Sequence, residues 1–236
     1  MHIRDDRAYQ LCKELYPLIL ESDQFIAEMD LDLKPASIQT QAYNIHQYLD
    51  RKHYEKLKAQ LLKSFGIDID FFATLHPLMI LSVISTSVLE AEHQISLDEH
   101  LWQYAKENHK PTSGLESYEE QLNILQSIDA GSIYKQLQEI GRKPWTMRKN
   151  ADKGLDLYIQ QNIHQLYRLS KSSMQNLRKK VIYDRNFRMV SVIDHLDYSM
   201  KYFITVGAGH LSGKFGLISL LRKSGWTVRS VPLITN

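Results

Sequence analysis

Apolar positions recur with helical spacing almost from the start of the chain. Ala8, Leu11, Cys12, Leu15, Leu18 and Ile19 fall on one stripe after Asp5-Asp6, and Asp23 closes the segment. Phe25-Ile26-Ala27-Glu28-Met29 then alternates as a strand does, with Glu28 on the less apolar register or at the strand's end. From residue 38 to about residue 125 helical spacing dominates: residues 38–65 are amphipathic, 77–93 form an apolar helix and 97–108 a shorter one. Residues 110–116 predict a brief strand ending in Glu116, and Ser117-Tyr118-Glu119-Glu120 opens the next helix as a capping box. Glu120 is thereby given a structural role, which leaves Glu116 freer for chemistry. After a break at Asp129-Ala130-Gly131 a helical stretch runs to Ile140. Leu155, Ile159, Ile163, Leu166 and Leu169 mark a further helix, and a last long one spans about residues 172–196.

The C-terminal block is the most distinctive. A β-branched and aromatic run, Tyr202-Phe203-Ile204-Thr205-Val206, stops at the small-residue turn Gly207-Ala208-Gly209-His210. A helix follows, with Phe215, Ile218 and Leu221 on one stripe and Leu217 and Leu220 beside it. Arg222 and Lys223 suit its last turn, Gly225 suits C′, and Trp226-Thr227-Val228 reads as a returning strand. His210 then stands at the carboxyl end of a strand, the edge of an open α/β sheet where ligands collect. Gly207 and Gly209 let the backbone bend there. The plain alternative is a histidine that only satisfies a turn. At the other terminus, His2–helix–strand echoes His210–helix–strand, placing two histidines at matching points of two βαβ-like units.

Composition narrows the function. A hydrophobic share of 43% and a charged share of 24% are those of an ordinary globular protein. A net charge of +2 with no block of like charges excludes a nucleic-acid footprint. The basic segment Arg142-Lys143-Pro144-Trp145-Thr146-Met147-Arg148-Lys149 reads as a solvated loop. The single cysteine, Cys12, permits no intrachain disulfide. Residues 71–89 are the longest uncharged run, but His76, Pro77 and several hydroxyl residues make them a buried helix, so no membrane span is expected. Residues 208–215 nearly spell a phosphate-binding loop, but Phe215 stands where a magnesium-holding Ser or Thr belongs. His-Glu-x-x-His, Cys-x-x-Cys and Gly-x-Ser-x-Gly are all missing, and Glu90-Ala91-Glu92-His93 lacks a second histidine. Any metal ligands must therefore come from distant segments. Arg185-Asn186 reads either as an exposed helix face or as a guanidinium aimed at carboxylates or an anionic substrate.

These residues carry a family resemblance. Arg185-Asn186-x-x-Met189, then Val206-Gly207-Ala208-Gly209-His210-Leu211-x-Gly213-x-x-Gly216-Leu217, resembles the TraB/PrgY/GumN family, which is related to the Tiki metalloproteases and more distantly to erythromycin esterase and ChaN-like folds. Glu28-Met29-Asp30-Leu31 resembles the family's acid-bearing strand, and Gly114-Leu115-Glu116-Ser117 its Gly-Leu-Glu segment. The resemblance implies one α/β (α+β) domain over residues 1–236. Residues 1–33 and 200–236 would build a mixed central sheet, with a large helical insertion at 38–197. Of the family's two Gly-x-x-His motifs the second is intact, from Gly207 to His210 with Gly209 and Gly213 as further motif glycines, whereas the first ends at His2 and lacks its glycine.

The function implied is a metal-dependent, peptidase-like hydrolase acting on a peptide or small-molecule substrate. A divalent ion (Mn, Co or Zn) would be held by His2, His210 and Glu28. Glu28 or Glu116 would accept the proton of a bound water, and Arg185, with Asn186 beside it, would steady the oxyanion. The alternative the family allows is a non-catalytic protein that binds or sequesters a peptide or pheromone. An upstream signal peptide would make the protein extracytoplasmic or secreted, whereas Met1 as the true start would make it cytoplasmic.

Overall fold

The computed structural model describes residues 3–32, 43–89, 91–174 and 177–233. His2, Glu90 and residues 38–42 of the first amphipathic segment lie outside them. Asp5 caps α1 (Asp6–Gln10) by accepting the Arg7 backbone N–H, and α2 (Cys12–Glu21) follows after Leu11. Ala8, Cys12 and Ile19 are fully buried, while Leu18 lies off the stripe and faces solvent. The chain then enters β1 (Gln24–Met29).

The middle of the chain supplies α3 (Arg51–Phe65), α4 (Leu78–Ser87) and α5 (Leu97–Glu107). Strand β2 (Thr112–Glu116) comes next and leads into α6 (Tyr118–Ser127). The capping box forms as the sequence spells it: Ser117 N–H donates to Glu120 Oε2 and Glu120 N–H donates to Ser117 Oγ. Then come α7 (Ala130–Arg142), α8 (Pro144–Ile159), α9 (Ile163–Met174) and α10 (Asp184–Ile193). The chain closes with β3 (Tyr202–Ile204) and α11 (Leu217–Lys223).

The sheet has the order β2-β1-β3, and both described pairings are parallel, so the antiparallel member expected of a mixed sheet is not among them. The class is the α/β (α+β) one that the sequence implies. Alternation along the central strand explains why it is apolar on both registers. Phe25 and Ala27 pack with Ala8, Cys12, Ile19, Leu101 and Trp102 on one face. Ile26 packs with Leu115, Met189, Val190, Leu217 and Leu220 on the other. A separate core away from the sheet joins α3, α4 and α7 through Leu57, Leu61, Ile80, Ile84, Ile133 and Leu137.

Several expectations need correction. Trp226–Val228 is not a strand, because the end of α11 consumes the backbone that a ladder would need. Gly225, at φ +96°, donates to Arg222 O, and Trp226 N–H donates to Leu221 O, which is a Schellman closure. The indole of Trp226 anchors on Asp194 Oδ1 at 2.7 Å instead. The echo between the two termini therefore stops after the helix. The basic segment at 142–149 is not a loop: Pro144 sits in the first turn of α8, where its missing N–H costs nothing. Residues 155–169 are two helices rather than one, separated at Gln161, which adopts φ +56°. The helix expected at 172–196 is present over its described residues as the end of α9 and then α10, which closes at Ile193. A π-helical turn, Lys179–Tyr183, feeds α10, and such turns gather at functional sites. The apolar helix at 77–93 ends at Ser87.

Gly114 is where β2 comes closest to β1. A Cβ there would stand 2.4 Å from Asp30 N and 2.8 Å from Met29 C, both backbone atoms that cannot rotate aside. Gly114→Ala is expected to lower the unfolding free energy by about 1–3 kcal/mol. Gly131→Ala is the control, since its nearest neighbour would be a side-chain oxygen at 3.4 Å. Urea midpoints of the two variants check the difference.

Candidate functional site

The carboxyl ends of the three parallel strands meet at one edge, and each brings a polar group to it. Glu28 ends β1, Glu116 ends β2, and the turn Gly207–His210 follows β3. Two neighbouring strand-end carboxylates repel, and Arg185 on α10 resolves the conflict. Its Nε donates to both Glu116 oxygens at 3.1 and 2.9 Å. Its Nη2 donates to Glu116 Oε2 and, at 2.5 Å, to Glu28 Oε1, while Nη1 donates to Val181 O at 3.3 Å. Of the readings open for this arginine, the buried guanidinium among carboxylates is the one present, and the exposed helix face is not.

That geometry bears on two of the expected roles. The Glu116 side chain has no exposed surface and both of its oxygens are clamped, with Arg188 a further 3.8 Å away. It is therefore not the freer acid, since release from the capping box leaves it bound to Arg185. Arg185 gives its Nε–H and its Nη2 hydrogens to the two glutamates and one Nη1 hydrogen to Val181 O, so a single Nη1 N–H is left over for any other acceptor.

Glu28 Oε2 remains directed at the loop, where it accepts the Gly207 backbone N–H at 2.9 Å. Burial alone would raise the Glu28 pKa. The positive charges of protonated His210 and Arg185, with the Gly207 N–H, outweigh it and hold the carboxyl below its ordinary value. A Cβ on Gly207 would lie 3.3 Å from that same oxygen, so the position favours a residue without one.

His210 is buried in a single 3-10 turn, Ala208–His210, and Asn186 fixes its state. The Asn186 amide nitrogen donates to His210 O at 3.0 Å and to Phe215 O at 2.7 Å, which turns its Oδ1 toward the imidazole. His210 Nδ1 lies 2.5 Å from that oxygen and must carry the proton. Burial, opposed by Glu28 but reinforced by Arg185 and Arg178, pushes the His210 pKa down to about 4. Near neutral pH its Nε2 is thus a bare lone pair, and it stands 3.8 Å from Glu28 Oε2.

This pair fits a divalent cation in donor type and spacing. Two ligands on one ion with bonds of about 2.1 Å lie about 3–4 Å apart, and a ligating imidazole characteristically donates its other N–H to an oxygen acceptor. Among the described residues, no group of three or more His, Cys, Asp or Glu side chains converges as a metal cluster. Glu28 and His210 come together, and Glu116 is held off by Arg185. His2 lies outside the described residues.

Around this pair the motif glycine Gly213 finds its packing partner, and two contacts appear that the sequence does not announce. Gly213, at φ +98°, leaves room for Tyr167, whose ring would lie 2.3 Å from a Cβ there. Ser212 Oγ lies 3.0 Å from His164 Nδ1. Arg178 is buried against the Tyr167 ring at 4.4 Å and donates to Tyr183 Oη and Ser170 Oγ, and its Nη2 finds no partner among the described residues. In the sequence, Arg178-Lys179-Lys180 looks like an ordinary solvated charge run, so only the packing distinguishes its first member.

The chain matches the family model described as TraB/PrgY/gumN over residues 1–230. No curated protein and no solved structure matches it.

Two measurements on metal-free protein check the electrostatics. Arg185→Met leaves two carboxylates at the sheet edge without their cation and is expected to cost about 3–5 kcal/mol at pH 7, read from urea melts. The pH dependence has a definite sign. The His210 pKa is depressed on folding, so between its unfolded value of 6.5 and about 4 the unfolded chain binds more protons. Stability therefore falls as pH drops through that window, by roughly 3 kcal/mol in all. The depressed Glu28 pKa adds a loss of the same sign below its ordinary value of 4.5. His210→Gln should flatten the slope between pH 6.5 and 4, and an unchanged slope would show that other groups cause it.

Proposed function

The chain belongs to the TraB/PrgY/gumN family, and on that premise we propose that it is a metal-dependent hydrolase of peptidase-like chemistry centred on Glu28 and His210. One observation carries the reading. Two acceptors, the imidazole Nε2 lone pair and an ionised carboxylate oxygen, face each other across 3.8 Å at the ligand-collecting edge of a parallel sheet. Such an arrangement is electrostatically unfavourable unless a cation or a proton stands between them, and the low His210 pKa disfavours the proton.

His210 Nε2 and Glu28 Oε2 would hold the ion, with manganese, cobalt and zinc as the candidates. When bound, such an ion lowers the pKa of a coordinated water to near neutrality. The chain's own residues do the rest. Asn186 fixes the His210 tautomer and ring plane. Arg185 holds Glu28 through Oε1 and so aims Oε2 at the imidazole. Gly207 N–H anchors the same oxygen from the loop. Glu116 is clamped on both oxygens and Glu28 Oε2 is committed to the ion and to Gly207 N–H, so the proton of a bound water would pass to solvent.

Isothermal titration of chelator-stripped protein with Mn²⁺, Co²⁺ and Zn²⁺ tests the centre, paired with a quenched-fluorescence peptide library for turnover. Saturable binding is expected. His210→Ala and Glu28→Gln should abolish it, and Asn186→Ala should weaken it by about 10–100-fold. Binding below roughly a tenth of an equivalent of every ion tried would overturn the reading. Peptide binding that survives His210→Ala, with no cleavage by the wild type, would assign the protein instead to peptide or pheromone sequestration.

A further inference from the structure

The turn that carries His210 has a second side. Between α1–α2, the junction of α8 with α9, and this turn lies a half-open apolar cavity of about 160 Å³. Its walls include Leu11, Cys12, Leu15, Leu166, Ala208 and Leu211. A cavity of about 150 Å³ lined by such side chains takes up a benzene ring and stays dry when empty. Cys12 does not change that character: burial raises its pKa to about 11, so it contributes a neutral thiol to an apolar wall.

The position of the cavity gives it meaning. Ala208 and Leu211 flank Gly209-His210 in one tight turn, so the group that would hold the ion and the wall of the cavity belong to the same few backbone atoms. The rim is fixed as well. The Gln161 side chain donates to Leu233 O and accepts Leu233 N–H, both at 2.9 Å, which ties the C-terminal segment to the α8–α9 junction. Leu97 at the start of α5 completes the wall, so the cavity is bounded by five separate parts of the chain, the 208–211 turn among them.

We infer that this cavity is a subsite for one apolar side chain of the substrate, phenyl or isobutyl in size, seated next to the Glu28–His210 centre. Its use as a specificity pocket rests on the hydrolase reading above, whereas its capacity to bind an apolar group does not. A peptide held there would place the backbone adjoining its aromatic or leucine residue against the 207–211 loop.

The test uses the full chain with chelator present and reads binding without turnover. N-acetyl-L-phenylalaninamide, N-acetyl-L-leucinamide and N-acetylglycinamide are titrated while the methyl ¹³C shifts of Leu11, Leu15, Leu166 and Leu211 are followed. The first two probes should give saturable shifts at these methyls. The glycine probe should bind at least about tenfold more weakly, the discrimination expected of a pocket that fills with one side chain. Leu166→Phe, which fills the cavity, should abolish the phenyl response, and Leu15→Ala should shift preference toward a naphthyl probe, with thermal melts confirming that both fold. Equal binding of all three probes, or a phenyl response that survives in folded Leu166→Phe, overturns the subsite. The absence of any saturable shift does the same. Failure of metal binding with the phenyl response intact would overturn the hydrolase reading and leave the pocket standing.

Discussion

The shared guanidinium of Arg185 is the constraint from which the rest of the site follows. Parallel strands in register bring their carboxyl ends to one edge, and here two adjacent ends carry glutamates. Glu116 has no exposed side-chain surface and Glu28 has 29%. Water therefore cannot screen them as it would on an open surface. A cation must reach both, and α10, crossing that edge, delivers it in Arg185. Such a buried triad is a weak source of net stability, because removing charges from water offsets most of the attraction. What it contributes is position: α10, β1 and β2 have one mutual arrangement in which every oxygen is satisfied.

The consequence reaches His210 through the neighbouring residue. Arg185 and Asn186 are consecutive on α10 and diverge by about 100° around the helix axis. One side chain therefore reaches the strand ends while the other reaches the loop after β3. The two halves of the site are thus set by a single helical turn and move together. Asn186 is completely buried and its three polar contacts all go to residues 210 and 215, so the loop is held by the same element that holds the acids.

This coupling explains what could and could not be read from the chain. β1, β2, the Ser117–Glu120 capping box and the Gly225 cap follow local rules of period and hydrogen bonding, and local rules are visible in sequence. Trp226–Val228 has the composition of a strand, but its first N–H already belongs to the cap of α11, a competition that propensity does not register. The basic run at 142–149 has the charge of a solvated loop, but Pro144 within it suits a helix start. The capping box accounts for Glu120 but says nothing of where the Glu116 side chain goes. Arg185, 69 positions away, takes both of its oxygens, and no local rule records a contact at that separation. The proximity of Glu28 to His210 is likewise a property of β1–β3 pairing, and no spacing rule encodes it.

The charges around the imidazole carry the argument one step further. Arg185 and Arg178 both push His210 toward its neutral form, and Arg178 has no carboxylate partner among the described residues, only hydroxyls and ring faces. The two guanidinium charges already balance Glu28 and Glu116. In the proposed reading, a divalent ion added between Glu28 and His210 would therefore enter surroundings with no spare negative charge. That weakens its binding relative to a carboxylate-rich site, and it favours loss of a proton from a bound water, since the resulting anion supplies the missing charge. Affinity and activation are then opposed through the same two arginines. A site built this way favours reactivity over tight retention of its ion.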